Sequence, residues 1–214
     1  MNYKYTRRPD LVDFIPDTYS KVIEIGCGDA SFKHNLKKDI EYWCVECSEE
    51  AIKNIDPSVK IIKGKYEEKI SILPDNYFDL IICNDVIEHI NDHNLFFKSI
   101  KRIMKNNSFL LGSVPNVRYY TNFYHYILKK DWKYVDEGIL DYTHLRFFTE
   151  KSMLRTIYQN KFTIIKFKKI NKLENNNCRH FCHLIILFFL DILFLKYFDD
   201  LKFMRFGFLL KIHK

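Results

Sequence analysis

The most informative part of this chain is KVIEIGCGDASF, from Lys21 to Phe32. A short β-rich run ends in a turn that contains Gly26 and Gly28, and a helix is expected to open near Ser31. Glycines in such a turn let the backbone approach a ligand with no Cβ in the way, and the next helix presents free N–H groups. The dinucleotide fingerprint G-x-G-x-x-G is not met, because Ser31 holds its last position. The stretch therefore predicts a strand, a ligand-binding turn and a helix.

Outward from this turn, short apolar runs alternate with helical stretches, which is typical of βαβ units and a parallel sheet. Strands are predicted at Lys21–Gly26, Ile40–Glu46, Val59–Lys63, Phe78–Asn84, Ser108–Val114, Phe162–Ile170 and Phe206–Lys214. Helices are predicted at Ser31–Lys37, Ser48–Asn54, Leu95–Met104 and Thr149–Asn160. The fold class is therefore α/β: a doubly wound, Rossmann-like, mostly parallel sheet of seven strands.

Composition narrows the class of protein. The chain has 214 residues, of which 47% are hydrophobic, so it fits one globular domain and is not a disordered chain. The first residues lack the apolar core of a secretory signal, and the six cysteines form no disulfide framework, so a cytoplasmic location is expected. The net charge of +7 favours anionic partners, and no nucleic-acid-binding motif is present.

Two segments interrupt the alternating pattern. Residues 115–148 are rich in Tyr, His, Lys and Arg, and we expect them to cap the carboxyl edge of the sheet, where open α/β folds bind ligands. Residues 178–200 are expected to form an apolar helix before the last strand. Its 184–198 portion suits a buried helix, a dimer contact or a peripheral membrane contact. Cys178, His180, Cys182 and His183 lack a second half-site at finger-like spacing, so no metal site is predicted.

A second acid sharpens the interpretation of the glycine turn. Glu46 ends the second predicted strand, where a carboxylate can accept hydrogen bonds from both ribose hydroxyls of an adenosyl group. Five motifs occur in this order along the chain: RRPDLVDFIP, VIEIGCGDASF, FDLIICNDVIEHI, SVPNVRYY and GILDYTHLRFFT. With these motifs the chain resembles class I S-adenosylmethionine-dependent methyltransferases from about Arg7 to Phe162. It is most like the subgroup found beside glycosyltransferases in bacterial capsule and lipopolysaccharide synthesis.

The resemblance implies that S-adenosylmethionine is the cofactor. It assigns Glu24, Gly26 and Gly28 to the methionine portion, Glu46 to the ribose, and Asn84 with Asp85 to the pocket wall. Two positions depart from the family pattern. Ala30 stands where a third glycine is common, and Lys65 stands where an aspartate commonly contacts the adenine amine, so Tyr66 or a backbone group is expected to serve the adenine instead.

The chemistry of methyl transfer to a hydroxyl calls for a positioned base as well as alignment. His144 is the first candidate, with Asp141 as its orienter, and a plain surface histidine is the alternative. His89 suits either a contact with the acceptor or a structural bond in its turn. Arg118 and Arg146 suit a clamp on an anionic acceptor, and Tyr119 suits stacking on it or packing of the cap.

The sequence thus predicts an O-methyltransferase of surface-polysaccharide synthesis, acting on a sugar or a phosphoryl decoration. Two alternatives stay open: a methyltransferase for a small metabolite such as a quinone precursor, and a non-catalytic scaffold protein on the same fold.

Overall fold

The computed structural model describes residues 7–173 and 196–213. Its centre is one sheet of seven strands in the spatial order β3-β2-β1-β4-β5-β7-β6. The strands are β1 (Lys21–Ile25), β2 (Glu41–Glu46), β3 (Lys60–Lys63), β4 (Phe78–Asn84), β5 (Met104–Pro115), β6 (Thr163–Lys172) and β7 (Phe203–Lys211). The predicted α/β class and strand number are confirmed.

Chain direction divides the sheet. The strands from β3 to β5 are parallel neighbours. β7 runs antiparallel to both β5 and β6, between which it lies. The order of strands reverses at β1, so the carboxyl ends of β1, β2 and β4 meet at the point where open α/β sheets bind ligands.

Five α-helices connect the strands of the described chain. They are α1 (Glu49–Ile52), α2 (Tyr66–Lys69), α3 (His93–Ile103), α4 (Tyr120–Leu128) and α5 (Glu150–Gln159). Ser48 caps α1 by accepting a hydrogen bond from the N–H of Ala51, and Thr149 forms a capping box with Ser152 at the start of α5. The helix expected at Ser31–Lys37 is instead a 3₁₀ helix at Ser31–Asn35, and the one expected at Ser48–Asn54 is a single turn.

The sheet is buried on both faces, as a doubly wound fold requires. One face carries Ile23, Ile81 and Phe97, and the other carries Val22, Leu80 and Phe14. Phe14 belongs to a 3₁₀ helix at Pro9–Phe14 that packs near β6 and β7. The run FDLIIC in β4 lacks alternation because most of its side chains are enclosed.

The predicted cap of residues 115–148 leaves the sheet and returns beside its own start. Asn116 bridges to Phe148, and the buried Asn116 amide donates to the carbonyls of Asp200 and Phe203. The cap contains α4, which the sequence did not predict. These bonds fix the base of the cap against the beginning of β7.

The predicted apolar helix of residues 178–200 lies mostly outside the described residues. Its last part is described: residues 196–198 form a turn and Asp199–Lys202 is a 3₁₀ helix, so residues 196–200 of the predicted segment are not α-helical. In the two described ranges, no helix has both the length and the apolar character needed to cross a bilayer.

Candidate active site

The turn after β1 is built on left-handed backbone. Gly26 has a φ of 64° and Gly28 a φ of 57°, which glycine adopts without strain. A Cβ added to Gly26 would stand 2.8 Å from Cγ2 of Val86, just beyond β4. Ala30, at the position where the resemblance expects a third glycine, keeps a left-handed φ of 60°. The turn is therefore closely packed against the segment that follows β4.

Glu46 anchors the turn from the end of β2. Its Oε2 accepts a hydrogen bond of 2.8 Å from the N–H of Gly28. Its Oε1 accepts from the N–H groups of Cys47 and Ser48, both at 2.8 Å. A carboxylate has about four acceptor positions, so three are used by the backbone. Glu46 thus keeps about one acceptor position that the backbone does not use.

The end of β4 presents a buried amide and an engaged carboxylate. The side-chain amide of Asn84 is buried and forms no hydrogen bond of normal geometry with the described residues, although it lies close enough to the Glu24 carboxyl to lower the pKa of that group. Asp85 accepts bonds from the Ser113 hydroxyl at 2.6 Å and from Arg8 and Arg205 at 2.9 Å each. Burial alone would raise the pKa of Asp85, but the two guanidinium groups outweigh it and hold the pKa below its usual range.

Glu24 is the buried acid of the site. It lies on β1 with 3% of its surface exposed, and it accepts a hydrogen bond from the Tyr42 hydroxyl. Burial raises the pKa of Glu24 to about 8, and the Tyr42 bond only partly offsets that effect. Near neutral pH this carboxyl is therefore largely protonated, and a cationic group placed beside it favours its ionised form.

Comparison with known proteins assigns the chain to a family. Residues 2–166 match the family described as methyltransferase domain. The chain belongs to the methyltransferase domain family. The family match does not reach the level of the subgroup, so the expected likeness to capsule and lipopolysaccharide enzymes stays a prediction.

Solved structures share the fold of this methyltransferase domain. A SAM-dependent methyltransferase from Archaeoglobus fulgidus has a TM-score of 0.65 and 18% identity, over 94% of this chain and 89% of that one. Phosphoethanolamine N-methyltransferase 2 from Haemonchus contortus, in complex with S-adenosyl-L-methionine, has a TM-score of 0.60 and 14% identity, over 97% and 52%. An uncharacterized protein of Methanocaldococcus jannaschii is 35% identical over 97 residues, which span 44% of this chain and 40% of that protein.

The methyltransferase domain brings most of its expected cofactor residues together. Glu24 lies on β1, and Gly26 and Gly28 follow it. Glu46 ends β2 and Asn84 ends β4, and β1 pairs directly with both of these strands. A buried amide that forms no hydrogen bond of normal geometry with the described residues, beside an acceptor-bearing turn, fits a polar adenosyl ligand. Asp85 is at the expected place, but its carboxylate is held by Arg8, Arg205 and Ser113.

Tyr66 does not offer its ring to an adenine. The side chain is 4% exposed, its ring packs on Phe96, and its hydroxyl shares a hydrogen bond of 3.0 Å with Ser99. Burial also raises the pKa of Tyr66, consistent with a hydroxyl enclosed in the core. The expected stacking by Tyr66 is therefore wrong, and the contact of a backbone group with the adenine stays a prediction.

Two of the expected acceptor-binding residues have structural partners. Arg118 forms a two-pronged contact with Asp200, through Nε at 2.7 Å and Nη2 at 3.2 Å. Tyr119 is 7% exposed and packs in a small cluster with Tyr120 and Leu201. The expected clamp by Arg118 and stacking by Tyr119 are therefore corrected, since both side chains hold the cap to the residues before β7.

A histidine of the cap, His144, lies against a histidine that follows β4, His89. The rings of His89 and His144 are 4.7 Å apart between centroids. Nδ1 of His144 contacts the Ile139 carbonyl at 2.9 Å, so Asp141 does not orient this ring. Asp141 instead accepts bonds from the backbone and hydroxyl of Thr143, and that hydroxyl lies 3.1 Å from Nδ1 of His89.

Arg146 remains available to an acceptor. It is exposed, bonds the backbone carbonyls of Leu145 and Asn91, and forms no ion pair with any described residue. Its backbone N–H donates to the carbonyl of Glu88, which places it beside the histidine pair.

Several site residues were missed by the sequence analysis. Arg8 and Thr143 lie inside motifs on which the resemblance rests, and this position was the one signal in the sequence that they belong to the site. Glu88 lies in NDVIEHI, yet nothing local marks its carboxylate as buried. Arg205 carried no local signal, because its contact with Asp85 spans 120 residues.

Proposed function

We propose that this domain is an S-adenosylmethionine-dependent O-methyltransferase whose acceptor is an anionic sugar or a phosphoryl-bearing glycan unit. One observation supports the cofactor most directly: the amide of Asn84 is buried and forms no hydrogen bond of normal geometry with the described residues, beside the Glu46-anchored glycine turn. An unpaired buried amide costs about 1–3 kcal/mol, so a ligand that pairs it recovers that free energy.

The roles of the chain's own residues follow from their positions. S-adenosylmethionine, when bound, supplies an electrophilic methyl group on a sulfonium. Glu46 would accept hydrogen bonds from the ribose, and Gly26 and Gly28 keep the turn free of side chains. Glu24 would face the cationic part of the cofactor, whose charge favours the ionised carboxylate. The protein then contributes mainly alignment of the acceptor oxygen.

The acceptor class is argued from the cap. Arg146 is an exposed guanidinium beside the His89–His144 pair, and it has no ion partner among the described residues. Guanidinium groups bind carboxylates and phosphates through paired hydrogen bonds. The net charge of +7 supports the same preference. The glycan context rests on sequence resemblance alone.

A calorimetric titration of the full chain with S-adenosylmethionine, S-adenosylhomocysteine and NAD tests the cofactor. We expect micromolar binding of the two adenosyl compounds and none of NAD. In Asn84→Leu, which removes the amide at similar volume, adenosyl binding should weaken at least about tenfold while the unliganded protein becomes no less stable. Unchanged affinity in this variant, or absence of adenosyl binding to folded wild-type protein, would refute the proposal.

The acceptor is tested by methyl transfer from labelled cofactor to matched acceptors. The acceptors are nucleotide-linked sugars, sugar phosphates and neutral sugars. We expect the two anionic classes to be methylated faster than the neutral sugars. Arg146→Gln should raise KM for the anionic acceptors and leave cofactor affinity unchanged. A neutral acceptor that is used as well as its phosphorylated counterpart would contradict an anionic substrate.

A further inference from the structure

Glu88, His89 and His144 form a compact group at the edge of the sheet, here called the Glu88 cluster. One ligand atom from each residue, a carboxylate oxygen and two imidazole nitrogens, lies within 4.8 Å of the other two. Glu88 and His89 belong to the 3₁₀ helix at Ile87–His89 that follows β4, and His144 comes from the cap. The group therefore combines two segments that are distant in sequence.

Glu88 is a buried acid whose carboxylate accepts no hydrogen bond within the described part of the chain, although Asp85, Arg205 and Arg8 are close enough to act on its charge. Its side chain belongs to a residue only 1% exposed, and neither carboxylate oxygen has a hydrogen bond from the described residues. An unpaired buried carboxyl is costly, and native proteins keep such groups mostly for a ligand or a reaction. The backbone carbonyl of Glu88 accepts bonds from the N–H groups of Leu145 and Arg146 at 2.8 and 3.0 Å. These bonds fix the position of His144 relative to Glu88.

Both imidazoles are held in the form that a cation binds. Nδ1 of His144 faces the Ile139 carbonyl at 2.9 Å, so it carries the proton. Nδ1 of His89 faces the carbonyl and the hydroxyl of Thr143, both at 3.1 Å, and that hydroxyl donates to Asp141 at 2.6 Å. The lone pair of each ring is therefore on Nε2. Such outer bonds to the second ring nitrogen are typical of metal-binding histidines.

From this geometry we infer that the Glu88 cluster binds one divalent first-row transition-metal ion, such as Zn²⁺, Fe²⁺ or Co²⁺. Two imidazoles and one carboxylate are a ligand set that these ions use in sites with open positions. Some point lies within about 2.8 Å of all three atoms, and bonds of about 2.1 Å then require shifts below about 1 Å. Mg²⁺ and Ca²⁺ prefer oxygen ligands and fit two imidazoles poorly.

The role of this ion rests on the proposed function. His89 is only partly buried, so an acceptor can reach the cluster from the side of this residue. An acceptor hydroxyl bound there would be oriented, and its pKa would be lowered, with the proton passing to solvent. Exposed Arg146 lies next to the cluster and suits an anionic group on the same acceptor.

Cobalt binding tests the site without reference to activity. The untagged chain carries Cys178→Ser and Cys182→Ser, which remove competing thiolates. It is treated with a chelator and then titrated with Co²⁺ in reducing buffer. We expect one equivalent to bind with visible d–d absorption, and Zn²⁺ to displace it. Glu88→Gln and His144→Ala should each weaken Co²⁺ binding at least about 100-fold, and Thr143→Val about tenfold. His125→Ala, which alters an exposed histidine of α4, should bind as the parent does.

Each outcome decides the inference. No saturable Co²⁺ binding by the parent protein overturns it, as does unchanged affinity in His144→Ala with circular dichroism like that of the parent. A parallel titration with S-adenosylmethionine separates this inference from the proposed function. Cobalt binding without adenosyl binding would keep the metal site and remove the methyl-transfer role, and the reverse result would keep the role and remove the metal.

Discussion

The Oε2 atom of Glu46 accepts a hydrogen bond of 2.8 Å from the backbone N–H of Gly28, so the end of β2 closes directly onto the turn after β1. The same carboxylate also holds the N–H groups that precede α1. One side chain thus joins two segments that a ligand at this edge of the sheet would contact.

Replacement of Glu46 should weaken the cofactor site more than the fold. Hydrogen bonds to charged groups contribute about 1.5–3 kcal/mol, so Glu46→Gln should reduce affinity for S-adenosylmethionine roughly 10- to 100-fold. Calorimetric titration measures the change, and Glu50→Gln, at an exposed position of α1, is the matched control. Equal affinity of the Glu46 and Glu50 variants would remove Glu46 from the cofactor site.

A Cβ at position 26 should collide with Val86. Gly26→Ala places that atom 2.8 Å from Cγ2 of Val86 and forces alanine into a φ of 64°, so we expect a loss of about 2–4 kcal/mol in the free energy of unfolding. In the double variant with Val86→Ala the clash is gone, and a coupling energy of about 1–3 kcal/mol should appear in urea unfolding.

Gly138→Ala supplies the control for that experiment. Gly138 has a φ of 99°, but an added Cβ there would meet nothing within 4 Å. This variant therefore reports backbone strain without a collision, and it should lose less stability than Gly26→Ala. Similar losses in the two variants, or no coupling with Val86→Ala, would show that the contact with Val86 is unimportant.

Glu24 should make stability fall as pH rises. Its pKa is about 8 in the folded protein against 4.5 for an ordinary glutamate, so the folded state holds the proton more tightly. The stabilising contribution is complete below pH 4.5 and is lost as pH rises to about 8. The slope from this one group is about 1.4 kcal/mol per pH unit.

Glu24→Gln stays neutral and removes that slope. The difference in unfolding free energy between this variant and wild type should therefore change in favour of the variant from pH 5 to pH 8, as measured by urea unfolding at several pH values. Glu50→Gln serves again as the control for an exposed carboxyl. Parallel profiles of wild type and Glu24→Gln would mean that Glu24 is ionised throughout this range.

Arg118 should matter for stability and not for the cofactor. Its contact with Asp200 is largely enclosed, with 29% and 12% of the two side chains exposed. Arg118→Met should lower the free energy of unfolding by about 1–2 kcal/mol and leave adenosyl affinity within about twofold. A stable Arg118→Met protein with a greatly raised KM for anionic acceptors would restore the acceptor-binding role.

Local sequence was sufficient for the framework of the sheet. Phe78–Asn84 was predicted with the observed bounds, because a strand covered on both faces shows as an unbroken apolar run. β5 begins at Met104, four residues before the predicted Ser108. The residues from Lys105 to Asn107 are polar, so they do not continue the apolar run from which the strand was predicted. The antiparallel place of β7 between β5 and β6 depends on pairing across the whole domain, which no local pattern encodes.

The candidate site was predictable in its cofactor half and much less so in its acceptor half. Gly26 and Glu46 are marked by where their strands end, and this is a local property. Whether Arg118 faces a ligand or Asp200 is decided by a contact across 82 residues. Likewise, Asp141 and His144 are close in sequence, yet their side chains bond to Thr143 and Ile139. Spacing alone could not choose between these partners.

The inner position of β7 has a consequence for synthesis of the protein on the ribosome. Within the described sheet β6 pairs only with β7, and β5 gains its second neighbour from the same strand. While the chain is emerging, β6 therefore has no partner until residues 203–211 have been made, and its unpaired edge is open to chaperones or to neighbouring chains. A transcript cut short before Phe203 would leave a nascent chain that contains nearly every site residue but cannot close its sheet.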